Sequence, residues 1–70
     1  MYAFIKSLRY HGHERRFSIQ PTTSGWEVRE EEDSRVVKQI CYTDWHRVER
    51  ARRAFTVEMV NLREQGWAES

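Results

Sequence analysis

A helical period of apolar positions is sustained in one part of this chain, residues 43–67. At 100° per residue, Val48, Ala51, Phe55, Met59 and Leu62 fall within one narrow arc, with Trp45 at its edge. Thr43 is the expected N-cap, since its hydroxyl can accept a backbone N–H of the first turn. Asp44 would then be the first helical residue, its carboxylate at the positive end of the helix dipole. Gly66 suits the left-handed position after the last turn, which places Trp67 against Leu62 in a Schellman ending. Start, stripe and stop together predict one long amphipathic helix.

Upstream of residue 43 the pattern changes to alternation. Residues 2–10 fit a helical turn through Phe4, Ile5 and Leu8, or a strand through Phe4, Lys6, Leu8 and Tyr10. Aromatic content and the following His11-Gly12-His13 favour a strand entering a hairpin. Arg15 to Gln20 alternates cleanly, with Phe17 and Ile19 inward and Arg16, Ser18 and Gln20 outward. Pro21 ends that strand, and Thr22 to Gly25 form a loop. Trp26 to Glu30 alternates again, with Trp26 and Val28 on the apolar face.

Glu31-Glu32-Asp33-Ser34 is the expected hairpin tip, and Arg35 to Tyr42 the last strand, rich in β-branched side chains. The sequence does not fix the register of this strand: a four-residue loop would set Val28 opposite Val37 and Glu27 opposite Lys38, and other loop lengths stay open. Val36, Ile40 and Tyr42 would then share one face, and Val37 and Cys41 the other. The fold class is therefore α+β: a three- or four-stranded antiparallel β-meander, followed by one long C-terminal α-helix packed on one sheet face. A helix from Asp44 to Gln65 is about 33 Å long. Strands spaced by ~4.8 Å make a narrower sheet, so the helix must cross obliquely or overhang.

Seventy residues make a single small domain, 1–70, whose core supplies only about 3–5 kcal/mol unless something else contributes. Cys41 is the sole cysteine, so no disulfide can form within the chain, and a lone thiol suits the reducing cytoplasm. Met1 to Lys6 lacks the basic-then-apolar layout of a signal peptide, and no segment is apolar enough to span a membrane. Oligomerisation is the remaining source of burial. Val57 and Val60 lie off the main stripe on the solvent side of the helix, and the last strand carries apolar groups on both faces. Both features point to a self-association surface, a homodimer being the simplest form.

Twelve basic and eleven acidic residues nearly cancel, which excludes a surface that is basic throughout. A local cluster remains: Arg47, Arg50, Arg52 and Arg53 crowd the first half of the helix beside His46, and Arg15 and Arg16 form a second pair. Arginine forks suit phosphate, so Arg15, Arg16, Arg47, Arg50 and Arg53 are the candidate nucleic-acid contacts. Glu49, Glu58 and the run from Glu30 to Asp33 oppose that reading.

His11 and His13 put two imidazoles on one turn, with Glu14 following. Two ligands are fewer than the three or four a zinc site normally uses, and nothing requires Cys41 and His46 to join them. Cys41, Asp44 and His46 include a nucleophile, a carboxylate and a base, but across a strand end and a helix start nothing makes them converge. Trp26 and Trp45 are expected in the core, and Trp67 at its end. No cofactor and no catalytic residue is expected. The sequence reads as a non-enzymatic binding or assembly module acting through protein–protein contact, with nucleic-acid binding as the alternative.

Overall fold

The computed structural model describes residues 3–69. Five strands, β1 (Phe4–Tyr10), β2 (His13–Pro21), β3 (Trp26–Glu32), β4 (Arg35–Tyr42) and β5 (Ala68–Glu69), make one antiparallel sheet in the order β4-β3-β2-β1-β5. Helix α1 (Trp45–Glu64) packs on one face. The predicted two-layer α+β architecture is the one observed. Residues 4–10 are strand; Tyr2, with which the predicted first strand began, lies outside the described residues.

The core is built from the two predicted stripes. Leu8, Phe17, Ile19 and Val28 from the sheet meet Val48, Phe55, Met59 and Leu62 from the helix, all buried. Phe55 sits between Phe17, at 5.0 Å between ring centroids, and Phe4, at 6.4 Å. Trp26 is partly buried against the core and packs on Trp45 at 5.3 Å. Trp45, expected in the core, is exposed by 36%, and Trp67 stacks on Tyr10 at 5.6 Å. The helix leaves the sheet from β4 at one margin and returns through β5 at the other. It therefore crosses the sheet obliquely, which accommodates its length.

The C-terminal stop is the Schellman geometry expected: Trp67 N–H donates to the Leu62 carbonyl and Gly66 N–H to that of Arg63, both at 3.0 Å. The start differs by one residue. Asp44, not Thr43, is the N-cap; its backbone is extended, and its carboxylate accepts the His46 N–H at 2.9 Å.

The β3–β4 hairpin is tighter than the four-residue tip expected. Its loop is Asp33-Ser34 alone, both with positive φ as a type I′ turn requires. Register follows from loop length, so Val28 faces Ile40 and Glu27 faces Cys41, not Val37 and Lys38. Between Glu30, which faces Lys38, and Glu31, which faces Val36, the register steps by one residue. Val37 has no partner on β3 and forms a β-bulge. The bulge turns Val36 to the same open face as Val37 and Cys41, away from Ile40 and Tyr42.

Two smaller differences concern the strands themselves. Pro21 remains in β2, opposite Trp26. Ser18 faces outward as expected yet is buried, because it lies in register between the larger Ile5 and Arg29.

Candidate functional site

The two margins of the sheet are treated differently. Along β1, Leu8 and Arg9 are paired with β5, and Glu69 bridges Lys6 and Arg63. The outer edge of β4 has no strand beside it among the described residues. Six of its eight residues are exposed, and only Ile40 and Tyr42 are partly covered. Its backbone thus presents a row of donors and acceptors that a further strand could pair. Val36 and Val37, exposed by 45% and 50%, stand side by side at the bulge.

The elements flanking β4 differ in charge, although the strand itself starts at Arg35 and is followed by the cap Asp44. At its start, the β3–β4 hairpin carries Glu30, Glu31, Glu32 and Asp33. Past its end, the helix begins with His46, Arg47 and Arg50. Some of these groups are paired within the fold. Arg15 Nη2 lies 2.7 Å from Glu58 Oε1 and 3.5 Å from Glu30 Oε1, while Lys38 Nζ is 4.0 Å from Glu30 Oε2. This network ties β2, β3 and β4 to the helix.

Burial among these elements, followed by the charge of Glu58, raises the Glu30 pKa above its ordinary value. Asp33 is shifted the other way. Its carboxylate accepts the Glu14 backbone N–H at 2.8 Å and lies 3.0 Å from His13 Nδ1, and these bonds hold its pKa low. Glu31, Glu32, Arg47 and Arg50 have no ion-pair partner among the described residues.

The five candidate phosphate contacts do not gather into one surface. Arg15 points to the helix side of the sheet and is held by Glu30 and Glu58. Its neighbour Arg16 lies on the opposite face, donating to Ser7 Oγ at 3.3 Å. Arg53 is paired with Glu49 at 3.2 Å. Arg47 lines a depression of about 360 Å³ with Cys41, Tyr42, Thr43 and Asp44, beside the end of β4.

Val57 and Val60 are exposed by 61% and 44% on the outer side of α1. Val57 also borders a cleft of about 630 Å³, between the helix flank and Arg15.

Of the residues weighed for chemistry, His11, His13 and Asp44 make structural contacts. His13 binds Asp33, and the His11 ring meets the edge of Tyr10, 4.1 Å away. No group of three or more metal-ligating side chains converges among the described residues. Asp44 caps the helix, and Cys41, though exposed, makes no hydrogen bond to His46 among those residues. No described helix is long and apolar enough to cross a membrane.

Sequence reasoning registered the acidic hairpin and the arginine cluster separately. It did not place them at the two ends of one exposed strand, because that depends on β4 lying at the margin of the sheet. Comparison with protein-family models, with curated proteins and with solved structures finds no match for this chain.

Proposed function

We propose that this protein is a non-enzymatic assembly module that works through protein–protein contact, self-association being its simplest form. The observation that carries the reading is the uncovered eight-residue β4, with Val36 and Val37 half-exposed along it. A small domain gains more from covering such an edge than a large one does, because its own core is limited. Val57 and Val60 offer a second apolar surface on the helix. Sedimentation velocity across a concentration series tests the reading. A reversible, concentration-dependent dimer is expected, and a strict monomer at about 100 µM overturns self-association.

Nucleic-acid binding is the second reading, and Arg47 and Arg50 favour it because both are exposed without a carboxylate partner among the described residues. Two phosphate contacts predict a slope of about −1.8 for log K against log salt. Absence of DNA or RNA binding at ~50 mM salt refutes it.

A further inference from the structure

We infer that the second copy docks edge to edge, β4 against β4 in antiparallel register about a two-fold axis. In this pairing the acidic hairpin of each copy meets the arginine-bearing helix start of the other. The inference rests on the self-association reading and specifies its surface.

The first support is geometric. Beyond the bulge at Val37, Lys38 to Tyr42 is a regular stretch free for pairing. Centring the axis on Ile40 places Ile40 against its own copy, Gln39 against Cys41 and Lys38 against Tyr42 of the other chain. No like charges stand directly opposite one another. A lysine on an edge strand usually discourages pairing. Here Lys38 is turned to the helix side towards Glu30, with Nζ 4.0 Å from the Glu30 carboxylate.

The second support is charge. An antiparallel two-fold brings the start of one β4 beside the end of the other, so Arg35 comes alongside the Thr43–Asp44 junction of the second copy. Glu32 lies on the helix side of the sheet: it faces Arg15 across the strand pair, and both border a depression with Leu62 and Trp67. The axis stands perpendicular to the sheet and keeps both helices on that same side. Arg47 borders the depression at Cys41 and Tyr42 and so belongs to the helix flank next to β4.

Glu32 of each copy therefore approaches Arg47 of the other. Both are exposed and have no ion-pair partner among the described residues of the single chain, and symmetry makes the contact twice. A complementary pair left open at the two ends of an open strand fits a second copy better than an unrelated strand.

Charge exchange tests this by sedimentation at low and moderate salt. Arg47→Glu and Glu32→Arg should each weaken the dimer about tenfold, because both copies of the contact turn repulsive. The double variant should return to within about threefold of the wild type, while Val60→Asp leaves the dimer unchanged.

Arg47→Glu also places a carboxylate in the first helical turn, so the monomer should become more stable while the dimer weakens. That opposite movement separates lost docking from lost folding. A dimer unaffected by Arg47→Glu, or a double variant no better than the singles, overturns the inference. If Val60→Asp alone dissociates the dimer, the assembly reading survives and this geometry falls. A wild type that stays monomeric removes both.

Discussion

Gly25 is the position where the smallest substitution should do the most damage. It precedes Trp26, whose partner across the β3–β4 ladder is Tyr42, where the chain leaves the sheet for the helix. A Cβ on residue 25 would overlap the Tyr42 carbonyl oxygen. It would also stand 3.0 Å from Thr43 Cα and 3.1 Å from the Tyr42 carbonyl carbon. Carbon atoms pack best at about 3.5–4.0 Å, and every obstacle here is backbone, so no side chain can rotate away.

Gly25→Ala must therefore part the Trp26–Tyr42 pair. A ladder hydrogen bond contributes about 1 kcal/mol and the Trp26–Trp45 contact about 0.5–1.5 kcal/mol. Roughly 1.5–2.5 kcal/mol should be lost, about half of the ~3–5 kcal/mol available to a domain of this size. Urea unfolding followed by tryptophan fluorescence should show the midpoint falling by about 2 M, taking a slope of ~1 kcal/mol/M.

Gly12→Ala is the matched control. Gly12 has φ +82°, but an added Cβ would meet nothing within 4 Å among the described residues, so only backbone strain of about 1 kcal/mol applies. A Gly25→Ala midpoint no lower than that of Gly12→Ala refutes the steric reasoning.

Three further outcomes are expected. Asp44→Ala should cost about 1 kcal/mol in the same unfolding assay and Thr43→Ala much less, since the cap is the Asp44 carboxylate. Glu30, its pKa raised by burial and then by Glu58, keeps its proton in the folded state at pH values where the unfolded chain has released it. Stability should therefore decline as pH climbs from the ordinary 4.5 through the folded value, and Glu30→Gln should remove that decline, measured as urea midpoints from pH 4 upward. Asp33, its pKa lowered by the Glu14 N–H and by His13, contributes stability that is complete above its ordinary 3.8 and is lost as pH falls through its lower folded value. Asp33→Asn should flatten that acid limb, and an unchanged limb would contradict the role given to its hydrogen bonds.

The helix was legible because its evidence is local and redundant. The stripe from Val48 to Leu62 is the buried one, and Gly66 with Trp67 ends it as the spacing requires. Its start slipped by one residue because Thr43 and Asp44 are both good caps, and only backbone geometry chooses between them. The first hairpin was legible through Gly12.

The second hairpin was placed but its two-residue turn was not, since neither Asp33 nor Ser34 is glycine, yet both adopt positive φ. Asp33 is compensated by its bonds to His13 and to Glu14 N–H, partners some twenty residues away that no turn rule includes. Strand β5 was hidden for a similar reason. Two residues carry no period, and what holds them is Glu69 between Lys6 and Arg63.

The same dependence on distant partners explains why the helix surface was legible and the edge was not. Val57 and Val60 stand out from the helical period alone, so sequence reasoning names them first. For β4 the face of each residue depends on the hairpin before it. A four-residue turn would have set Val37 on the helix side opposite Val28, whereas the two-residue turn with its bulge leaves Val36 and Val37 together on the open face. Charge follows the same logic. Eleven carboxylates against twelve basic groups suggest a surface without direction, and the run from Glu30 to Asp33 looks like an argument against the arginines that follow it. Once β4 separates the two groups along its length they form a polar pair, and the proposed two-fold axis across that strand would set each group against its opposite. Near-neutral composition is thus compatible with strong mutual recognition, provided the charges are segregated along the edge that pairs.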